Sequence, residues 1–187
     1  MDLYGRKQLV DSIRTVRKNT IAIAGDIPAT KYDYRPTPDS RSVAETLVHI
    51  ASLSRADRRL HGDRRVSSLE DFDFGKLIEE SETEEAPSRS KSDIIDLLQT
   101  EGERWCDWLT AIPESILAEQ LRMPGGGSKT RFELLLGTKE HEMHHRAQLT
   151  VIERLLGIVP HLTRNRLAAR AASTTTRRPR STGKTLA

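Results

Sequence analysis

The stretch EHEMHHRAQL, residues 140–149, lies in the middle of the longest helical pattern in the chain. His141 and His145 are four residues apart, so on a helix they lie one above the other on the same face. At 100° per residue, the apolar residues Leu149 and Ile152 fall within about 40° of His145. The two histidines therefore interrupt the face of the helix that must be buried in the core.

Three further segments show the periodicity of helices that bury one face in a bundle. Ser42 and Thr130 are each followed three residues later by a glutamate, which is the capping box found at helix starts. Pro28 and Gly157 follow the last periodic residue of their segments, as expected where a helix ends. We predict four long helices, at residues 3–27, 42–62, 92–112 and 130–156.

The connection between the second and third helices, residues 62–91, is long for a compact domain. A parallel pair of helices would require it, because the chain must travel the length of the bundle before restarting. We therefore predict an all-α fold, a four-helix bundle of up-down-down-up topology with its long connection between helices 2 and 3. Within that connection we predict at most a short helix at residues 74–80, and we interpret the acidic run 79–85 as a solvated loop. Residues 113–129 show no strand pattern and are predicted to be a flexible loop.

The basic residues are concentrated at the C-terminus. The chain has 187 residues and a formal charge of +3, but residues 164–187 contain seven lysines and arginines and no acid. The rest of the chain is therefore mildly acidic, which argues against a nucleic-acid partner, since such proteins carry a basic patch on the fold itself. We predict a bundle domain at residues 1–160, followed at 161–187 by a short helix near 162–172 and a basic, disordered tail.

The sequence also suggests where the protein acts. A single cysteine, Cys106, excludes an internal disulfide framework and suits a reducing compartment. No segment approaches the roughly 20 apolar residues of a membrane span, and the N-terminus lacks the pattern of a secretory signal. We expect a cytoplasmic protein without a membrane partner.

The histidines on the buried face suggest a metal site. A neutral imidazole is a common ligand of zinc and nickel, and three of them leave positions open for water or substrate. A lone buried histidine is typically a hydrogen-bonded core residue, and H-x-x-x-H also arises by chance. Burying two imidazoles without partners, however, costs about 1–3 kcal/mol each, and a shared ion removes that cost. We predict His141, His145 and His49, the one histidine deep inside the second helix, as ligands of a divalent metal, with zinc or nickel favoured.

Three neighbours of these ligands are candidates for supporting roles. His144 is turned about 100° from His145, toward a neighbouring helix or the rim of the site. Arg146 and Gln148 could either orient a substrate or bond to a neighbouring helix. The sequence indicates no specific catalytic residue.

The motifs also resemble a known family. The segment SVAETLVHI at residues 42–50, preceded by YRP at 34–36, and the segment HEMHHRAQL at 141–149 are similar to those of the DinB-like family of damage-inducible four-helix-bundle proteins. The resemblance covers residues 5–160. It implies an up-down-down-up bundle, usually dimeric, in which the histidines matching His49, His141 and His145 bind a divalent metal. Ala147 stands where a glycine is commoner in the family, and no ligand position is lost.

The resemblance also suggests a reaction. Characterised members of the family include metal-dependent transferases and isomerases that use low-molecular-weight thiols. An open metal site suits that chemistry, because coordination lowers the pKa of a thiol. The resemblance thus predicts a homodimeric, metal-dependent thiol S-transferase with a small-molecule thiol as partner. The alternative is a non-catalytic, metal-binding stress-response protein whose bundle only holds the ion.

Overall fold

The computed structural model describes residues 4–63, 65–70 and 72–176. Its helices and strands follow the chain in the order α1 (Arg6–Asp26), α2 (Val43–Asp57), α3 (Phe74–Glu85), α4 (Lys91–Ala111), α5 (Glu114–Leu117), β1 (Gln120–Arg122), β2 (Ser128–Thr130), α6 (Arg131–Leu155) and α7 (His161–Thr176). A π-helical turn, Arg58–Asp63, extends α2. None of the helices in these described ranges is long and apolar enough to cross a membrane.

Helices α1, α2, α4 and α6 form a four-helix bundle whose topology follows from the residues that share its two hydrophobic clusters. One cluster joins the end of α1 and the end of α6 to the starts of α2 and α4, through Ile23, Leu149, Leu47 and Leu98. The other joins the starts of α1 and α6 to the end of α4, through Leu9, Leu135 and Leu109. Helices α2 and α4 are therefore parallel and run opposite to α1 and α6. This confirms the up-down-down-up bundle with its long connection between the second and third bundle helices.

A buried ion pair separates the two clusters. Arg17 of α1 donates from Nε and Nη2 to the two carboxylate oxygens of Glu142 on α6, both at 3.0 Å. It also donates to the carbonyl oxygens of Leu98 on α4, at 2.7 Å, and Ile50 on α2, at 3.3 Å. Thr20 donates a further bond of 2.7 Å to Glu142. One guanidinium group thus contacts all four helices of the bundle.

The helix starts depend on capping side chains. Ser42 and Thr130 make the predicted capping boxes with Glu45 and Glu133. Helix α4 starts one residue before the predicted bound of 92, and its cap is Ser90, which accepts a bond from the backbone of Asp93.

The acidic run 79–85 was wrongly interpreted as a solvated loop, because it forms the second half of α3, and that helix is longer than the one predicted at 74–80. The physical reason lies in α2 and the π-helical turn that extends it, which supply the opposite charges. Arg59 pairs with Glu80 at 2.9 Å and Arg55 with Glu84 at 3.4 Å. Glu85 itself is buried, so one of the acidic side chains of α3 packs inside the protein.

Residues 113–129 are also more ordered in structure than the predicted flexible loop, since they contain α5 and most of a hairpin. Strands β1 and β2 pair antiparallel, with Gln120 opposite Thr130. The turn between them uses three glycines, residues 125–127, all with positive φ, a region that side chains with a Cβ rarely adopt. Two three-residue strands are too short to produce a recognisable alternation in the sequence, which explains the missed prediction.

The helix predicted near residues 162–172 is present as α7 and runs to Thr176. It is tied to α1 at its first turns, where Arg164 makes two bonds of 2.9 and 2.7 Å to the carboxylate of Asp26. His161 bonds to Asn19 at 3.1 Å. The disordered tail was predicted to begin at about residue 173, which was wrong for residues 173–176 because they continue α7. The rest of that tail, from residue 177 onward, lies outside the described residues.

Candidate metal centre

The structure brings together the three histidines that the sequence singles out. His49 comes from α2, and His141 and His145 come from successive turns of α6, which runs antiparallel to α2. The Nε2 atom of His141 lies 2.9 Å from Nε2 of His49 and 2.9 Å from Nε2 of His145. One potential ligand atom from each residue lies within 4.8 Å of those of the other two.

The opposite ring nitrogens of two of these histidines are held by acceptors. Nδ1 of His49 lies 2.8 Å from Oε1 of Glu85 and 3.0 Å from the hydroxyl of Ser81. Nδ1 of His145 lies 2.8 Å from Oε1 of Gln148. Because a carboxylate and an amide oxygen only accept, each Nδ1 carries the proton and each Nε2 presents a lone pair. Acceptors of this kind commonly fix the tautomer and orientation of metal-binding histidines.

The electrostatics of the cluster keep its ligand atoms available. Burial, together with the neighbouring His145 and His49, lowers the pKa of His141 to about 4. Burial also lowers the pKa of His145. Burial alone would raise the pKa of Glu85, but hydrogen bonds from His49, Arg41 and Ser81 outweigh it, so that the pKa falls to about 2. At neutral pH, His141 and His145 are therefore neutral and Glu85 is ionised.

This donor set fits a divalent metal ion. The Nε2 lone pairs of His49 and His145 both face Nε2 of His141, which can donate at most one proton between them. Nitrogens that share a tetrahedral zinc at 2.0–2.1 Å are roughly 3.3 Å apart, which is comparable to the 2.9 Å separations found here. Three such ligands would leave a coordination position for a further molecule.

The sequence reasoning missed the residues that support His49. Glu85 and Ser81 are four residues apart on one face of α3, and both contact the imidazole. Arg41 in turn donates from Nε to Oε2 of Glu85 at 2.6 Å. The sequence feature that could have identified Ser81 and Glu85 is their i, i+4 spacing, but this spacing is informative only once residues 81–85 are known to be helical.

The three predicted neighbours of the ligands have different positions. Gln148 lies against His145, as described above. His144 is exposed and contacts Gln148, whose Nε2 lies 3.1 Å from its own Nε2. In the part of the chain that the structure describes, Arg146 makes no hydrogen bond or ion pair with His49, His141 or His145.

Two clefts flank the three histidines. His145 lines one of about 760 Å³, between the segment at residues 35–41 and the end of α6. His49 and His141 line another of about 750 Å³, between α2 and α3. Arg41 lines both clefts, so it stands at the boundary between them.

Solved structures with a similar fold include three bacterial proteins. A DinB-like protein from Bacillus subtilis is 22% identical, with a TM-score of 0.59, over 80% of this chain and 92% of that one. A putative member of the DinB family from Exiguobacterium sibiricum is 24% identical, with a TM-score of 0.57, over 81% and 91%. YfiT from Bacillus subtilis, described as "a probable metal-dependent hydrolase with an unusual four-helix bundle topology", is 16% identical, with a TM-score of 0.60, over 82% and 88%.

Among curated protein sequences, none matches this chain. A family model, that of the DinB superfamily, matches residues 12–149. The matched range takes in most of the bundle, together with His49, His141 and His145. The chain therefore belongs to the DinB superfamily.

Proposed function

We propose that this protein is a metal-dependent enzyme in which His49, His141 and His145 hold one divalent ion, with zinc or nickel favoured. The observation that carries the proposal is the convergence of their Nε2 atoms, with Nδ1 of His49 and His145 already committed to acceptors. Imidazole donors suit both metals. When bound, such an ion lowers the pKa of a thiol or water at its open position.

The reaction we propose is the transfer of a low-molecular-weight thiol. The resemblance to DinB-like transferases supports the thiol, and the clefts beside the histidines offer space for a thiol and a second substrate. In this proposal Glu85 and Gln148 hold the imidazoles of His49 and His145 in place.

Two other functions are compatible with the same ligand set. The similarity to YfiT favours hydrolysis, in which water would take the position of the thiol. A non-catalytic, metal-binding stress-response protein would require only the three ligands. Both alternatives share the metal site with the transferase and differ from it in what the open position accepts.

The first experiment measures the metal. Protein purified without chelator or metal-affinity resin is analysed for its metal content as wild type, as His145→Ala and as the control His161→Ala. His161 is a histidine of α7 that bonds to Asn19. We expect about one ion per chain in the wild type and the control, and at least a tenfold loss in His145→Ala. An ion retained stoichiometrically in His145→Ala would overturn the proposal.

A second measurement separates the three functions. The cobalt-substituted protein is titrated with small thiols, and thiolate coordination is followed by its charge-transfer absorption. A thiol band together with turnover of an electrophile supports the transferase, whereas hydrolysis without a thiol band supports the hydrolase. Bound metal with neither response identifies the non-catalytic protein.

We also propose that the protein is a homodimer. The resemblance supports a dimer, as does a set of apolar side chains, each 48–53% exposed, that α7 and the turn before it present to solvent: Val159, Leu162 and Leu167. Trp105 of α4 is 2% exposed and belongs to the core, so it does not contribute to such an interface. Sedimentation equilibrium at micromolar concentration tests the proposal, and a species of 21.1 kDa would contradict it.

A further inference from the structure

Arg41 occupies an unusual position beside the candidate metal centre. It directly precedes Ser42, the cap of α2, and lines both clefts next to the histidines. Its Nε donates to Glu85, and its side chain is 37% exposed. Within the described residues, its two terminal nitrogens have no hydrogen-bond or ion-pair partner. Arg41 therefore retains the planar pair of donors that suits a carboxylate.

Arg35 is the other arginine of the cleft that His145 lines, and its terminal nitrogens are not free to bind a ligand. One of its terminal nitrogens donates to the carbonyl oxygen of Ser40 at 2.6 Å, and the other pairs with Glu45. Both of its terminal groups already have partners within the protein. The two arginines thus line the same cleft with different capacities for a ligand.

The acidic residues of that cleft do not cancel the charge of Arg41 where a ligand would meet it. Glu45 is paired with Arg35, and Glu85 is bonded to both Arg41 and His49. Asp39 and Glu82 are exposed, so water and salt screen their charges. A bound divalent ion would add positive charge at the histidines.

The opposite wall of the cleft is apolar. Val151, Ile152 and Leu155 of α6 line it, one to three turns beyond His145. A ligand that fills the cleft would meet His145, the guanidinium edge of Arg41 and an aliphatic surface. That combination suits a short, partly apolar molecule with an anionic group.

The geometry points to Arg41 as the residue that binds the carboxylate of an anionic small-molecule substrate, whose reacting end lies at His49, His141 and His145. This inference rests on the proposed metal-dependent function and specifies the class of substrate. Arg41 is then a determinant of specificity, separate from its hydrogen bond to Glu85.

The test uses matched probes and cobalt-loaded full-length protein. The first pair is 3-mercaptopropionate and its neutral amide, and the second pair replaces the thiol by a hydroxamate, again with a carboxylate or an amide at the other end. Dissociation constants come from the changes in the cobalt absorption spectrum. We expect the wild type to bind each carboxylate about tenfold more tightly than its amide, as for a hydrogen bond to a charged group.

The variants separate recognition from support of the metal site. Arg41→Gln should lose the carboxylate preference while its affinity for the amides and its cobalt content stay within about twofold of wild type. Arg41→Lys should keep part of the preference. The matched control Arg35→Gln should keep it, since the donors of Arg35 are already used.

Each remaining outcome decides either the role of Arg41 or the proposed metal-dependent function. If both pairs bind without a carboxylate preference, the Arg41 inference is wrong and the metal-dependent function stands. If Arg41→Gln weakens carboxylates and amides equally, Arg41 acts through Glu85 and the inference is again wrong. If only the hydroxamate pair binds and shows the preference, Arg41 recognises anions but the thiol reaction is wrong. If no cobalt binds, the proposed function fails and the inference fails with it.

Discussion

Glu142 and Glu153 are both buried acids of α6, about three turns apart, and their surroundings are opposite. Glu142 is 6% exposed and accepts hydrogen bonds from Arg17 and Thr20. Glu153 is 0% exposed, and neither of its carboxylate oxygens has a hydrogen-bond partner in the described part of the chain. The difference comes from α1, which places Arg17 beside Glu142 but whose last residue, Asp26, adds negative charge near Glu153.

The comparison shows that one residue type can be buried in two physical states. The charge of Glu142 is compensated by a guanidinium group whose remaining donors are also satisfied, which is the condition under which a buried ion pair is tolerated. Burial, together with the negative charge of the nearby Asp26, raises the pKa of Glu153 to about 7. Glu153 is therefore buried largely as a neutral acid below that pH.

The largest effect should come from breaking the pair at Glu142. Arg17→Met leaves that carboxylate buried without its partner, and we expect a loss of about 3–5 kcal/mol in the free energy of unfolding, measured by urea denaturation. The double variant Arg17→Met, Glu142→Met should recover most of it, because an apolar pair of similar volume is often tolerated. A single variant that loses less than about 1 kcal/mol would show that the pair is not important for stability.

The second-largest effect on stability should come from filling the space that Arg17 occupies beside Gly102. A Cβ on Gly102 would lie 2.9 Å from Cγ of Arg17, so Gly102→Ala should displace the guanidinium and cost about 1–3 kcal/mol. Gly137→Ala is the matched control, since a Cβ there meets no atom within 4 Å. It should stabilise α6 by about 0.5–1 kcal/mol. Equal effects at the two glycines would contradict this account of the Arg17 site.

A pH series tests the state of Glu153. Its pKa is raised on folding, so the protonated form stabilises the fold, and this stability is lost as the pH rises from about 4.5 to about 7. Glu153→Gln should remove that loss, which we expect to be about 1–2 kcal/mol in the wild type between pH 5 and pH 8. Glu142→Gln should keep the pH dependence while lowering stability throughout. An identical pH profile for the wild type and Glu153→Gln would show that Glu153 titrates normally.

The smallest effect concerns the C-terminus. Arg164, whose charge acts on Glu153, and His161 both lie in the first turns of α7. Truncation after Ala172 should therefore change stability by no more than about 0.5 kcal/mol and leave the pH profile intact. Truncation after Pro160 should instead remove the charge of Arg164, which lowers the pKa of Glu153, and so steepen the profile. Calorimetry of the two truncated proteins compares them directly, and a loss of several kcal/mol in the longer one would show that residues beyond 172 dock.

The same contrast explains what the sequence could predict. Helix geometry alone places His141 and His145 together, and His49 was the only histidine deep inside the second helix, so the sequence was enough to predict this group of residues. The role of Glu85 could not be predicted, because an acidic run has the same sequence pattern whether its side chains are solvated or packed against the protein. Its burial depends on Arg41 and His49, which are distant in sequence.

The core shows the same limit. Apolar periodicity predicted the bundle helices, and the length of the connection at residues 62–91 predicted that the second and third of them are parallel. Neither could predict Arg17, because a charged residue beside an apolar stripe is typically exposed. Whether a buried acid is paired or neutral depends on what another helix places opposite, and the local sequence does not contain that information.

The contacts of Arg17 have a consequence for the order of assembly. Its donors are satisfied only when α2, α4 and α6 are all in place, so an intermediate lacking any one of them would bury an incompletely bonded charge. We therefore expect the bundle to form in a single cooperative transition. Two of the acceptors, Ile50 and Glu142, directly follow His49 and His141 in the chain. The three histidines should consequently come together in that same transition, and a metal ion should be captured by the folded bundle and not by a partly folded one.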